Sequence, residues 1–354
     1  MVSTGSTTDA RTTTDARTTT DTGSTTDARS TTGSGIVGRV VVLAGGLSHE
    51  RDVSLRSGRR VAEALRGNGV EVEERDVDAG LLPSLAAQRP ACVIPMLHGE
   101  AGEDGAVREV LELLNVPYVG SRPAVCRTAF DKPVAKTIVR RTGIRTPEWY
   151  CLPHETFREL GATAVMGALV AKLGLPLMVK PARSGSALGC TVVHAAADLP
   201  GAMINAFAYG DVALLEQFVT GDEVAVPVFD DGSGPRALPA VGIKPDGGVY
   251  DYTARYTAGS TEFVVPAGLS TELSLRCAEV AVGAHEALGL RDLSRSDLIV
   301  DAAGEVWFLE VNVAPGFTET STVPLSIQAA GLDLGKVMSA LVHAAVDRSG
   351  ANHA

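Results

Sequence analysis

Hydrophobic and polar positions change period along this chain, and the changes mark its elements. Val40–Leu43 is an apolar, β-branched run ending at Ala44-Gly45-Gly46, the pattern of a buried strand meeting a tight turn. Apolar residues then recur at helical spacing from Ser54 to Leu65, and Gly67 and Gly69 end the run. Val72–Val77 and Ala91–Met96 read as further strands, so the alternation predicts a parallel sheet with helical crossovers. Two helices follow, Pro123–Phe130 and Lys132–Arg141, the second closed by Gly143 and Pro147. The next block is strand-rich: Leu177–Lys180, Cys190–Val193, Val212–Phe218 and Glu223–Phe229, with a Gly/Ser loop at Arg183–Gly189. A polar, turn-rich stretch from Pro235 to Gly268 holds Tyr250–Tyr256. A helix from Thr271 to Leu288, strands Ser294–Asp301 and Val306–Val313, and helices Val323–Ala330 and Leu334–Val346 complete the pattern.

Residues 1–35 follow neither period. Thr-Thr-Asp-Ala-Arg occurs at Thr7–Arg11, Thr13–Arg17 and Thr25–Arg29 within Thr, Ser and Gly. Such a tract has too little apolar surface to offset its ordering entropy and is expected to be a disordered tail. The remainder divides into three units, 36–130, 131–220 and 221–350. The net charge of −11 excludes a general polyanion binder, though not a small basic pocket for one nucleotide. Five scattered cysteines without a Cys-x-x-Cys pair favour reduced thiols over disulfides or a zinc site. With neither a membrane-length apolar run nor a signal-peptide pattern, a cytoplasmic location is the expectation.

The C-terminal hairpin is the most informative piece. Strand alternation puts Arg295 and Asp297 on one face, and Glu310 and Asn312 on one face of the partner strand. Trp307, Leu309 and Val311 are expected on the opposite, apolar face. A four-residue connection, Ala302–Glu305, sets Asp297 opposite Glu310 and Arg295 opposite Asn312. Two carboxylates and an amide at this density suit Mg²⁺; the alternative is a solvated face with an Arg–carboxylate pair.

Other polar positions carry two readings each. The Gly45-Gly46 turn can cradle an anion or serve only as a turn. Lys180, at the end of an apolar strand beside a Gly/Ser loop, is a phosphate clamp or a snorkelling lysine. Glu216 and Glu223 flank Phe218-Val219-Thr220-Gly221 and accept hydrogen bonds from a nucleoside, or are solvated turn carboxylates. His98, in a Gly-rich loop, is a ligand or a satisfied structural histidine. No Walker A loop and no Gly-x-Ser-x-Gly elbow is present.

Taken in order, seven blocks resemble the D-alanine–D-alanine ligases of the ATP-grasp superfamily. They are Gly45-Gly-Leu-Ser-His-Glu-Arg-Asp-Val-Ser54, His98-Gly-Glu-Ala-Gly-Glu-Asp-Gly105, Asp131-Lys132, Val179-Lys-Pro181, Glu216-Gln-Phe-Val-Thr-Gly-Asp-Glu223, Tyr250–Tyr256 and Glu310-Val-Asn-Val-Ala-Pro-Gly316. The resemblance spans Val40 to Val346 and implies an α/β chain, a Rossmann-like pre-ATP-grasp domain followed by a two-domain ATP-grasp fold. It implies that Lys132 and Lys180 contact the phosphates of ATP, joined by Arg255, and that Glu216, Gln217, Val219 and Glu223 line the adenine and ribose pocket. Asp297, Glu310 and Asn312 would hold Mg²⁺ or Mn²⁺, two ions in all. Glu50 would bind the first substrate's ammonium, with Ser186 and Tyr256 linked to it, and His98 would line the substrate site. Arg295 and the Gly316 N–H would stabilise the developing oxyanion, and Ser321 would take the second substrate's carboxylate.

The implied reaction joins two D-alanines through a D-alanyl phosphate for peptidoglycan precursors and cell shape, in a homodimer. Four residues depart from the family pattern: Arg255 replaces Lys, Ser184 replaces Glu, Ala187 replaces Ser and Thr322 replaces Leu. They keep open a related ligase with a different second substrate: D-lactate, D-serine or another amino acid, in resistance or natural-product biosynthesis. Tyr256 favours an amine over a hydroxyl nucleophile, and therefore D-alanine over D-lactate.

Overall fold

The computed structural model describes residues 35, 38–247, 250, 254 and 259–351. The repeat tract, Arg255 and Tyr256 lie outside them. The described chain builds three sheets, each from one stretch of sequence.

The first sheet is parallel: β1 (Val40–Leu43) lies between β2 (Val72–Arg75) and β3 (Cys92–Pro95). β1 is buried along its whole length because both its faces are covered, which is why it reads as a continuous apolar run rather than an alternating one. Val40 and Val42 face a core with Val61 and Leu65 of the helix Arg51–Gly67, while Val41 and Leu43 face Leu81, Leu85 and Leu111. The first of these cores also takes in Phe317, Val323, Ile327, Met338 and Leu341, so the helix Leu334–Ala351 packs beside the first strand.

The second sheet is antiparallel, in the order β4-β7-β5-β6: β4 (Trp149–Pro153), β5 (Leu177–Pro181), β6 (Thr191–Val193) and β7 (Val212–Gln217). The third runs β11-β10-β8-β12-β13: β8 (Gly221–Phe229), β9 (Arg236–Ala237, an extra pairing to β8), β10 (Val241–Pro245), β11 (Thr261–Val264), β12 (Leu293–Asp301) and β13 (Val306–Asn312). The helix Thr271–Ala287 starts at Ser270, whose hydroxyl accepts the Leu273 N–H, and lays Cys277, Ala281 and Ala284 on the third sheet. The helices Pro123–Phe130 and Lys132–Arg141, bounded as expected, share that core.

The β12–β13 hairpin has the expected pairing of Arg295 with Asn312 and Asp297 with Glu310. Its alternation is not the expected one. Leu298 pairs with Phe308, so Leu309 is an extra residue and the ladder carries a bulge. The expected apolar set Trp307, Leu309 and Val311 is therefore corrected: Val306 and Phe308 join Val311 and Val313 in the core. Leu309 turns to the side of Glu310, and the Trp307 indole N–H donates to Asp301 at 2.8 Å.

Candidate functional site

A cavity of about 350 Å³ opens between the second and third sheets. Met178 and Lys180 of β5, Glu216 and Gln217 of β7 and the Phe218–Thr220 connection form one wall. Glu223, Ile243, Ile299, Leu309 and Glu310 form the other, with Lys132 at its edge. Its size and its mix of apolar surface and a few convergent charges suit a small organic ligand. Lys132, the first residue of its helix, donates to the Ser184 carbonyl at 2.5 Å and lies 3.4 Å from Glu310.

Neither bland reading of Lys180 or Glu216 fits: both are buried and they form an ion pair at 2.6 Å. Snorkelling would need a path to water, and a solvated turn carboxylate would be exposed. The second Glu216 oxygen is 2.7 Å from the Lys136 ammonium. Burial works against the Glu216 carboxylate, but the two lysines outweigh it and hold its pKa below the ordinary value. Burial also works against Lys180, where Glu216 and Glu310 outweigh it and raise the pKa. Lys136 goes the other way, pushed down to about 8 by burial despite Glu216. Sequence reading missed Lys136, although its place four residues after Lys132 puts both lysines on one side of the helix.

A second cavity, about 340 Å³, shares Ile243, Tyr250 and Asp297 with the first. Glu50, His98, Ser186, Arg295, Asn312, Gly316 and Ser321 line it. Glu50 immediately precedes the helix Arg51–Gly67 and accepts from the Ser186 hydroxyl across the sequence. Ser186 and Ala187 both have positive φ, +51° and +55°, an unfavourable conformation for L-residues that the Gly/Ser loop must hold in place. The Gly45-Gly46 pair is turn chemistry: the Gly46 N–H is spent on Asp76 at 2.8 Å, and a Cβ on Gly45 would meet the same carboxylate at 2.3 Å. Glu103, a buried carboxyl lining this cavity, was not singled out in the sequence. Burial first, then the like charge of Glu50, raise its pKa.

Arg295 grips Asp297 in a fork, Nε to Oδ1 at 2.7 Å and Nη2 to Oδ2 at 2.8 Å. Burial opposes the guanidinium charge, but Asp297 outweighs it and raises the pKa. Asn312 Oδ1 accepts the Ala314 N–H at 2.7 Å. A Cβ on Gly316 would sit 2.8 Å from Ser321 Oγ, so a side chain there would displace that hydroxyl. That oxygen also accepts the Thr318 N–H at 3.0 Å.

His98 is satisfied by the chain as well as facing the cavity. Its Nδ1 is 2.9 Å from the Ala314 carbonyl, which can only accept, so Nδ1 carries the proton. Nε2 then accepts from Ser57 Oγ at 3.0 Å, and Ser57 in turn accepts the Phe317 N–H. Burial pushes the ring down to about 4, so His98 is neutral at working pH and holds position rather than shuttling protons. A histidine with a depressed folded pKa is stabilising above its unfolded value and loses that stability as the pH falls. The chain is thus expected to lose stability between about pH 6.5 and 4, by about 3 kcal/mol from this residue. Thermal midpoints across that range, on the chain and on His98→Gln, check this: the variant's fall should be shallower.

Every sequence-predicted site residue among those described thus lines one cavity or the other, and Asp297 lines both. Arg255 and Tyr256 lie outside the described residues, although Tyr250, Ala254 and Gly259 around them line the second cavity.

Residues 138–343 match the family described as D-ala D-ala ligase C-terminus, and residues 69–121 the family described as D-ala D-ala ligase N-terminus. A D-alanine–D-alanine ligase from Pseudomonas fluorescens is 38 % identical over 317 residues, 90 % of this chain and 94 % of the relative. One from Pelotomaculum thermopropionicum is 36 % identical over 88 % of this chain and 98 % of its own length. Among solved structures, the Bacillus anthracis D-alanine–D-alanine ligase complexed with ATP matches with a TM-score of 0.74 at 28 % identity, over 89 % of this chain and 99 % of that one. The VanG D-Ala:D-Ser ligase of Enterococcus faecalis matches with a TM-score of 0.75 at 27 % identity, over 86 % and 98 %.

Proposed function

The chain belongs to the D-alanine–D-alanine ligase family, with its ATP-grasp fold, and on that premise we propose that it uses ATP to join two D-alanines through a D-alanyl phosphate. The observation that carries this reading is the pair of adjoining cavities: one with apolar walls that holds Lys132 and Lys180 among carboxylates, the other polar, meeting at Asp297. The first suits ATP, with Glu216, Gln217, Val219 and Glu223 toward the nucleoside and Lys132 and Lys180 toward the phosphates. Phosphoryl transfer depends on positioning and charge neutralisation rather than on a protein nucleophile, which is what these residues supply.

In the second cavity Glu50, braced by Ser186, holds the ammonium of the first D-alanine and turns its carboxylate toward the phosphates. The second D-alanine is anchored by Ser321, and its neutral amine attacks the acyl carbon, forming the C–N bond as the C–O bond to phosphate breaks and releasing inorganic phosphate and a proton. Arg295 and the Gly316 N–H face the oxyanion that forms, while His98 fixes the Ala314–Phe317 segment. Arg255 and Tyr256, outside the described residues, are assigned by the family pattern to phosphate contact and to the Glu50–Ser186 pair.

Asp297, Glu310 and Asn312 fit a hard cation. Among the described residues no three His, Cys, Asp or Glu side chains converge on a common point, so the chain offers two carboxylates and an amide rather than a closed cage. That is the donor set expected for Mg²⁺ or Mn²⁺ shared with phosphate oxygens, and two such ions when bound would neutralise phosphate charge. Lobes at 36–130, 131–220 and 221–350, a cytoplasmic homodimer and a role in cell-wall precursor synthesis complete the reading. Among the described residues no single helix is long and apolar enough to cross a membrane.

A second reading rests on Thr322, which lines the second cavity beside Thr318, Thr320 and Ser321. This hydroxyl-rich rim favours a hydroxyl-bearing acceptor such as D-serine. Phosphate release and dipeptide formation across paired D-amino acids at fixed ATP and Mg²⁺ decide between them. D-alanine alone should support turnover, with D-serine the next best acceptor; negligible turnover with D-alanine would refute the first reading.

A further inference from the structure

Lys136 is fully enclosed and lines neither cavity, yet it stands at the centre of the charges beneath the first. Its ammonium is 2.7 Å from Glu216 Oε2, and Glu216 Oε1 is 2.6 Å from the ammonium of Lys180, which does face the cavity. Trp149 pairs with Glu216 across the β4–β7 ladder, and its ring centroid is 5.5 Å from Lys136 Nζ. Two cations thus share one buried carboxylate, so the trio itself carries one net positive charge, with Glu310 the further carboxylate that acts on both lysines. With Lys180 alone, the carboxylate would cancel the only cation of this group that a ligand can reach. With Lys136 taking one oxygen, the surplus is presented through Lys180. In a buried, low-dielectric setting that difference is large.

Resting on the ligase reading for the identity of the anion, we propose that Lys136 is a positioning residue for nucleotide phosphates: it occupies one oxygen of Glu216 so that Lys180 keeps its charge for the phosphate chain. Because it lines neither cavity, Lys136 acts through Glu216. A merely structural lysine would be needed for the fold, or for every ligand alike. A positioning lysine is needed only for ligands carrying phosphate.

The test measures binding of ATP, inorganic tripolyphosphate and adenosine to the full chain at fixed Mg²⁺. Lys136→Met should weaken ATP and tripolyphosphate about tenfold and leave adenosine unchanged. In turnover, KM for ATP should rise while KM for D-alanine stays. The double variant Lys136→Met with Glu216→Gln removes the carboxylate together with its offsetting cation, leaves Lys180 as the one charge of the trio, uncancelled and facing the cavity, and should recover most tripolyphosphate binding. Equal losses for adenosine and tripolyphosphate, or a double variant as weak as the single one, would overturn the proposal. Dipeptide formation by the unsubstituted chain is scored in parallel. Its absence would sink the ligation reading, while a selective loss of tripolyphosphate would still uphold the role of Lys136.

Discussion

Replacing Glu310 with alanine should lower turnover with D-alanine by about a thousandfold while leaving the fold intact. Removing one group that neutralises developing charge in a preorganised site costs about 10²–10³ in rate, and Glu310 serves two such partners. It stands opposite Asp297 as the second carboxylate of the proposed cation site, and it is 3.4 Å from the Lys132 ammonium. Its side chain is 26 % exposed, so truncation opens no core cavity. Asp297 is the poorer choice for the same test, because its loss would strand Arg295, partly buried and without its fork partner. Phosphate release and a thermal midpoint on one preparation separate the two effects. Turnover within tenfold of the unsubstituted chain would remove Glu310 from the phosphate chemistry.

Phe308→Ala should destabilise the chain by about 3–5 kcal/mol, the range for deleting a buried aromatic side chain. Phe308 is 0 % exposed, in a core with Val224, Val226, Ala281 and Leu298. Leu309→Ala, one residue on, should cost far less stability and should raise KM for ATP instead, because Leu309 lines the first cavity. Strict alternation from Glu310 would assign these roles the other way round. Urea unfolding of both variants therefore tests the bulge itself: a larger loss for Leu309→Ala would show that the pairing is wrong.

That bulge marks where the sequence stopped being legible. The hairpin's polar pairing could be read because turn length and a period of two fix the register near Asp297. An inserted residue leaves no such trace in the apolar pattern: Trp307, Phe308, Leu309 and Val311 are all apolar, so either phase looks acceptable. β1 and β3 of the first sheet were readable because strands covered on both faces are apolar runs rich in Val and Ile. β4 was not, since Trp149–Pro153 is short, lies between prolines and is only partly buried. Lys132 and Lys180 stood out beside motifs, whereas Lys136 and Glu103 did not. Their importance lies in burial beside Glu216 and Glu50, and sequence distance hides that juxtaposition.

The helix Leu334–Ala351 packs against the helix that follows β1, with Met338 and Leu341 in the same core as Val40 and Val42. This sets an order on synthesis. The first strand leaves the ribosome long before the helix that buries one of its faces, so the opening lobe cannot complete its core as it emerges. The second sheet has no such debt: its core draws only on residues between Leu152 and Leu215. During translation the middle of the chain can settle first, while Glu50 and His98 wait for the far end of the polypeptide before the proposed amino-acid site has its walls.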